Sequence, residues 1–478
     1  MKRLALVSFP ALLALLAARC DSAPAARTCT IAPPATDFRL VTVGTNFEDS
    51  LGRVVFLRGV NAGTRSKFAP YVPFDFGDDF AGALAAYMDR AASWGIDVLR
   101  VPFVWAALEP AQGQDDDEWL SRYDAILDAA WARGIWTVLD FHQDVYAENF
   151  CGDGFPAWTL VDPPPPHHDC AVWSTAYETA PVEAAFDAFW ADGSEVQAEY
   201  FAAWDVMIAR YKDTPGVLGF EPINEASGGS EDDDTFSATT FSDFYATWVA
   251  HARSLAPTSL VFVEPSGTAG VLLTTKLVRP PGDGVVFAPH FYPLVTSVDQ
   301  VAPQVQLLAN IGAQWNAPTW VGEFGAPDVL DSTLPRMQAT FQAFDALGLS
   351  GTEWEYSTSV DLWDDEQYSL TDASGNELPV AQAIIRPYAR AVAGSSIAQS
   401  FDADTETFTL SYAATSGGVT AVALPEKAYP NGYDVALEGG CYDVSSLPGQ
   451  MLIRADATDA ASAPTATTAT VSLTITPE

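Results

Sequence analysis

The chain has 478 residues, 48% of them hydrophobic and 12% aromatic, with 14 Trp. That is enough apolar mass for one large core and a second, smaller one, and it excludes wholesale disorder. Asp and Glu number 62 against 23 Lys and Arg, a formal net charge of -39, so phosphate backbones are repelled and nucleic acid is not an expected partner.

In chain order, Lys2 and Arg3 precede an apolar stretch from Leu4 to Ala18, interrupted by Ser8 and Pro10. A short cationic head before an apolar run of this length reads as an export signal over residues 1–25, too short for a membrane span. Ala23-Pro24-Ala25 offers a small-x-small cleavage site. Cys20 stands where a lipid-modified cysteine would tether the mature chain, although Arg19 before it suits such a site poorly. The expectation is a secreted protein without a transmembrane segment. Export permits disulfides. Beyond the signal stand Cys29, Cys151, Cys170 and Cys441, which allow three pairings. Cys151 with Cys170 would close a long loop, and Cys29 with Cys441 would tie the start of the mature chain to its end.

From residue 26 to 393 short apolar runs alternate with amphipathic stretches. The runs are Val54–Asn61, Val98–Trp105, Trp136–Asp144, Val217–Glu225, Leu260–Pro265, Val285–Tyr292, Thr319–Gly325 and Gly351–Tyr356. Their near-continuous hydrophobicity suits strands covered on both faces. Helical spacing marks Phe80–Trp94, Trp119–Arg133 and the stretches near 194–211, 238–255, 300–315, 335–347 and 379–392. Eight strands separated by helices predict an α/β fold, a (β/α)8 barrel. No Gly-rich phosphate loop follows the first run, which weighs against a doubly wound sheet. Residues 394–478 change texture. Period-two alternation at Thr405–Tyr412, Gly418–Leu424, Tyr433–Leu437, Met451–Ala455 and Thr467–Ile475 predicts a small C-terminal antiparallel β-sandwich.

In a barrel the working residues project from the C-terminal ends of the strands. Those ends carry Arg100, His142 and Asp144, Asn224 and Glu225, His290 and Tyr292, Glu323, and Trp354. Ionisable groups at the ends of apolar strands are costly unless paired or used. Two carboxylates on one rim in different environments are the apparatus of glycoside hydrolysis. No His-Glu-x-x-His pattern is present, and the chemistry needs neither metal nor other cofactor.

The set resembles glycoside hydrolase family 5, retaining β-glycosidases on the (β/α)8 barrel, from Leu57-Arg58-Gly59-Val60-Asn61 to Trp354. The resemblance implies Glu225 as acid/base and Glu323 as nucleophile. Arg100 and Tyr292 would bond Glu323, Asn224 the sugar 2-hydroxyl, and His142 and His290 would line the first sugar site over a Trp354 floor. The family usually has Pro after the acid/base; here Ala226 follows. That loosens the turn and removes no catalytic group.

His142-Gln143-Asp144-Val145-Tyr146 with Cys151-Gly152-Asp153-Gly154-Phe155-Pro156-Ala157-Trp158, and Lys67-Phe68-Ala69-Pro70-Tyr71, are similar to the endoglycoceramidases and their glucosidase relatives, which also carry a C-terminal sandwich. The resemblance implies Asp144 and Lys67 on sugar hydroxyls, and a glycosphingolipid, glucosylceramide or steryl glucoside as substrate, with dependence on a detergent or activator. A soluble β-glucan or mannan is the alternative, and a non-catalytic glycolipid-binding protein the third reading. The excursion from Val145 to Asp192, rich in aromatics, is either a wall for lipid tails or a small core of its own. Glycan length, lipid and oligomeric state are left open.

Overall fold

The computed structural model describes residues 26–167, 172–293, 297–327, 330–357, 367–372, 374–456 and 469–478. Eight parallel strands form the centre: β1 Arg58–Asn61, β2 Val98–Phe103, β3 Trp136–Phe141, β4 Val217–Glu221, β5 Leu260–Val263, β6 Val285–Phe287, β7 Trp320–Phe324 and β8 Ser350–Glu353. The ladder runs from His290–Phe291 through β7, β8 and β1 around to β6. His290–Phe291 continues β6 after two residues, and a parallel bridge joins Phe287 to Thr319, so the sheet closes on itself as a (β/α)8 barrel. Every residue of these strands is buried, as expected where helices cover a parallel sheet.

Helices Phe80–Ser93, Asp117–Trp131, Glu195–Tyr211, Thr240–Leu255, Val298–Trp315 and Thr333–Leu347 occupy the stretches of helical spacing. Capping carboxylates start two of them: Asp79 accepts from the Gly82 amide, and Asp116 from Glu118 and Trp119, satisfying first-turn donors. The stretch 379–392 is not a helix. It holds a 3₁₀ turn, Pro379–Ala383, and then a strand, Tyr388–Val392. Pro387 lacks an N–H and biases the residue before it away from helix. Beyond it the alternation in Tyr388-Ala389-Arg390-Ala391-Val392 suits a strand.

The C-terminal sandwich has two antiparallel sheets. One runs Gly394–Asp402, Thr407–Ala414, Thr470–Pro477 and Tyr433–Glu438. Along Thr407–Ala414 the buried residues are Phe408, Leu410, Tyr412 and Ala414, the one-face pattern expected of an outer sheet. The other sheet has seven strands and draws on both ends of the chain. Val41–Val43, Asn46–Glu48 and Val54–Val55 precede the barrel, Tyr388–Val392 follows it, and Val419–Ala423, Gln450–Ala455 and Gly440–Asp443 complete it. The apolar run Val54–Asn61 is therefore two strands in two sheets. This seven-stranded sheet crosses the division at 393/394.

The sandwich packs against the N-terminal mouth of the barrel. Val98, Trp136, Leu218, Leu260, Val286 and Trp320, from the N-terminal halves of six barrel strands, share one buried cluster with Phe47, Val55, Ala391, Ala421 and Leu452. A disulfide joins Cys29 to Cys441. Cys151 is disulfide-bonded as well; Cys170 lies outside the described residues, as do residues 1–25 with the leader and Cys20.

Candidate active site

Strand register sets several of the site residues side by side on neighbouring strands. Asn61 stands opposite Arg100, Asp140 opposite Glu221, and His290 opposite Glu323. Arg100, expected at a strand end, is fully buried in the middle of β2 and is the hub. Its guanidinium donates to Glu323 at 2.6 Å, Glu221 at 2.7 Å, Asn224 at 2.8 Å and Asn61 at 3.1 Å, and pairs with Asp140 at 3.1 Å. Only a fork of five donors satisfies so many acceptors at once. Tyr292 donates its hydroxyl to the second oxygen of Glu323 at 3.1 Å.

Glu225 lies across from Glu323. An oxygen of each, together with an His290 ring nitrogen, falls within 4.8 Å. His290 Nδ1 is 2.8 Å from Glu225 and 3.5 Å from Glu323. Burial pushes the Glu225 carboxyl up to about 7, and the nearby Asp144 carboxylate adds to it. Burial pushes His290 down to about 4 against the pull of Glu323, so the ring is neutral near pH 7. The arrangement offers a carboxyl that can give up a proton near neutrality beside a carboxylate met by two fixed donors.

Around these two carboxylates the β3 end supplies a second charged group. Lys67 donates to Asp144 at 2.6 Å and lies over the Trp354 ring, 4.6 Å from its centre. His142 stacks on Trp354 at 5.5 Å between centroids. Burial opposes charge on His142, yet Asp140 at 2.7 Å and the nearby Asp144 raise it to about 10. Burial likewise opposes charge on Asp144, but Lys67 and His142 hold its carboxyl well below the usual range. The Gly-Asp-Gly stretch has a steric reason. A Cβ on Gly152 would stand 1.8 Å from the Asp144 carbonyl oxygen, and Gly154 adopts φ +111 against Gln143. Only glycine lets 152–154 close on the β3 end, where the Asp153 amide donates to Asp144 at 2.8 Å.

Every residue expected at the site from the strand ends is brought together here. Lys67, His142, Asp144, Asn224, Glu225, Tyr292, Glu323 and Trp354 line one cavity of about 600 Å³, with Arg100 beneath it and His290 beside both glutamates. The cavity continues past Glu225 along Ala226, Ser227 and Gly228, Thr268 and Val271, and Trp173 and Tyr177. The aromatic excursion thus divides. Phe155, Phe186 and Phe189 are core, whereas Trp173 and Tyr177 wall the cavity.

Three carboxylates were missed: Asp140, which pairs with both Arg100 and His142, Glu221 and Glu264. Glu264 ends the fifth apolar run, and its oxygens sit 3.1 Å from the Glu225 amide. Glu221 pairs with Arg100 from β4. Reading the end of the fifth run as the others were read would have found Glu264; Glu221, the last residue of β4, carried the same strand-end signal, which Asn224 and Glu225 further along the run overshadowed. Burial raises two of these carboxyls: Glu221 to about 8, with Arg100 opposing, and Glu264 well above the usual range, with Glu221 and Glu225 adding to it. Among the described residues three trios could in geometry hold an ion: His142, Asp144 and Asp153; Glu221, Glu264 and His290; and Glu225, His290 and Glu323. In the first Lys67 already pairs with Asp144; in the second and third Arg100 already pairs with Glu221 and Glu323.

A closed barrel with this rim defines a glycosidase. Residues 58–359 match the model of cellulase, glycosyl hydrolase family 5, and residues 386–471 that of the glycoside hydrolase family 5 C-terminal domain. The chain belongs to glycosyl hydrolase family 5. Among characterised relatives it is 30% identical to endoglycoceramidase I of Rhodococcus hoagii over 445 residues, 86% of this chain and 84% of that one. It is 27% identical to an endoglycoceramidase of Cyanea nozakii, over 81% and 84% of the two chains. Endo-glycoceramidase II from Rhodococcus sp., solved with a cellobiose-like imidazole, shares the fold at TM-score 0.74 and 24% identity, covering 91% of this chain and 100% of that one.

Proposed function

We propose that this chain is an exported, retaining β-glycosidase that cleaves a β-linked sugar from a lipid, with Glu323 as nucleophile and Glu225 as acid/base. The observation that carries the reading is the short separation of the two carboxylates, within 4.8 Å at their nearest oxygens. Double displacement uses carboxyl groups about 5–5.5 Å apart, whereas inversion needs roughly 6.5–9.5 Å to admit a water. Glu323, held by Arg100 and Tyr292, attacks the anomeric carbon as Glu225 protonates the departing oxygen. Glu225, then a carboxylate, takes a proton from the water that releases the sugar.

The remaining residues bind the first sugar. Asn224 gives one amide N–H to the Gln143 carbonyl at 3.1 Å, and its second suits the 2-hydroxyl. Lys67 and Asp144 suit hydroxyls further round the ring, with Trp354 beneath and His142 stacked against it. A lipid aglycone is supported by the relatives, both endoglycoceramidases, and by Trp173, Tyr177, Ala226 and Val271 lining the cavity next to Glu225; each buried methylene contributes about 0.8 kcal/mol. Glu178, Glu231 and Asp233 on the same wall favour a second reading, a soluble β-glycan. Export rests on Lys2, Arg3 and the apolar run after them. Among the described residues no helix is long and apolar enough to cross a membrane.

The test is incubation with a neutral glycosphingolipid in detergent, following intact glycan, ceramide and the first anomer formed. Retention of the β-anomer with release of both halves is expected. Turnover on β-glucan or mannan alone would overturn the lipid assignment, and an α-anomer the mechanism.

A further inference from the structure

Glu264 takes no part in the steps above, yet it is 1% exposed at the end of β5 and touches Glu225 twice. Both its oxygens lie 3.1 Å from the Glu225 backbone N–H. Glu225 holds a left-handed backbone, φ 39, which a residue with a side chain adopts at a cost. Ala226 follows, so no proline ring stiffens this turn. The second contact runs through a ring. Glu264 Oε1 is 3.4 Å from His290 Nε2, and His290 Nδ1 is 2.8 Å from the Glu225 carboxyl.

We propose that Glu264 is a positioning residue for Glu225, clamping its backbone amide and orienting His290 toward its carboxyl. The inference rests on the acid/base role of Glu225 argued above. In its protonated form Glu264 can both accept and donate. One oxygen accepts the Glu225 amide, and the protonated carboxyl can donate to His290 Nε2, which has no hydrogen-bond partner among the described residues. Donation there leaves the ring proton on Nδ1, facing Glu225 once Glu225 has given its own proton away. When Glu225 is protonated the roles reverse: its hydroxyl donates to Nδ1, and Nε2–H donates back to Glu264. The groups facing Glu264 are Glu221, Glu323 and Arg100, the last 4.0 Å away. The Tyr245 hydroxyl bonds its backbone at both ends. Glu323, Arg100, Asp140 and His142 also act on His290, and Asp144, His142, Lys67 and Arg100 on Glu225.

The experiment compares kcat/KM, which reports only the first step, for glycosides with good and poor leaving groups across pH, since in that step an acid matters only for the poor ones. In Glu264→Gln the amide oxygen keeps the clamp, but the amide nitrogen can only donate to His290. The Nδ1–H form is then locked and favours charged Glu225, so the alkaline limb should fall by roughly one pH unit. In Glu264→Ala the poor substrate should lose at least about tenfold and the activated one little. Glu225→Ala is the reference. If its loss is independent of leaving group, the acid/base reading fails and takes this proposal with it. If its loss follows the leaving group while both Glu264 variants lower all substrates equally with an unmoved limb, the functional reading stands and the positioning role is overturned. Should neither Glu264 variant fold, ¹⁵N spectra of the unmodified protein decide. Above the alkaline limb, a proton on His290 Nδ1 supports the proposal and one on Nε2 overturns it.

Discussion

The two mouths of the barrel are built from the same eight strands and have opposite chemistry. At the N-terminal mouth the strands offer Val98, Trp136, Leu260 and Trp320, and the sandwich seals them with Phe47, Ala391 and Leu452. At the C-terminal mouth, a few residues along, the same strands offer Arg100, Asp140, Glu221, Glu264, His290 and Glu323, nearly all as buried. One mouth is stable because burial is apolar. The other carries ionisable groups that burial penalises, and it is tolerable because Arg100 pairs with three of the carboxylates within 3.1 Å and because others stay protonated. The contrast separates stability from chemistry along about 7–13 Å of strand, taking 3.3 Å per residue.

Mutations can break this contrast from either side. The largest effect should come from the C-terminal mouth. Glu323→Gln is expected to lower kcat by about 10⁴-fold or more, with little change in thermal midpoint, as followed by assay and calorimetry in parallel. A large fall in the midpoint would show that the carboxylate also holds the fold. Glu225→Ala should cost about 10²–10⁴-fold on poor leaving groups. The unmodified enzyme needs Glu225 protonated, so kcat/KM should hold below its value of about 7 and decline as pH rises through it. That decline should vanish in Glu225→Ala; its persistence would assign the limb to another group.

The N-terminal mouth should answer in stability alone. Leu452→Ala removes a side chain 1% exposed from the plug and should cost about 2–5 kcal/mol, leaving the pH profile in place. A changed profile would mean that the plug reaches the site. Cys29→Ser opens a disulfide spanning 412 residues and should cost about 2–4 kcal/mol, read by denaturant titration. Cys29 packs against the cluster at the N-terminal mouth, away from the rim, so kcat should not move.

The eight strands and the rim residues were legible because each depends on local pattern. A β-branched run ending in a polar residue says both where a strand lies and what it presents. The Cys29–Cys441 pairing was legible by the same economy, as one of three choices. The helix expected over 379–392 was not there, because Pro387 and the alternation after it outweigh the helical spacing before it. The strands Val41–Val43 and Asn46–Glu48 carried no signal, since three residues are too few to show a period.

Order along the chain determined the barrel, the sandwich and the identity of the groups on the rim, since hydrophobic period and strand-end residues are properties of neighbours. Only the folded arrangement decided that Glu225 titrates near 7, that His290 is neutral while His142 is charged, and that Glu264 grips the turn of Glu225. These are set by burial and by charges brought from other strands, Asp144 from the β3 end and Arg100 from β2. Coulombic and desolvation energies depend on distance in space, which separation in the chain does not report.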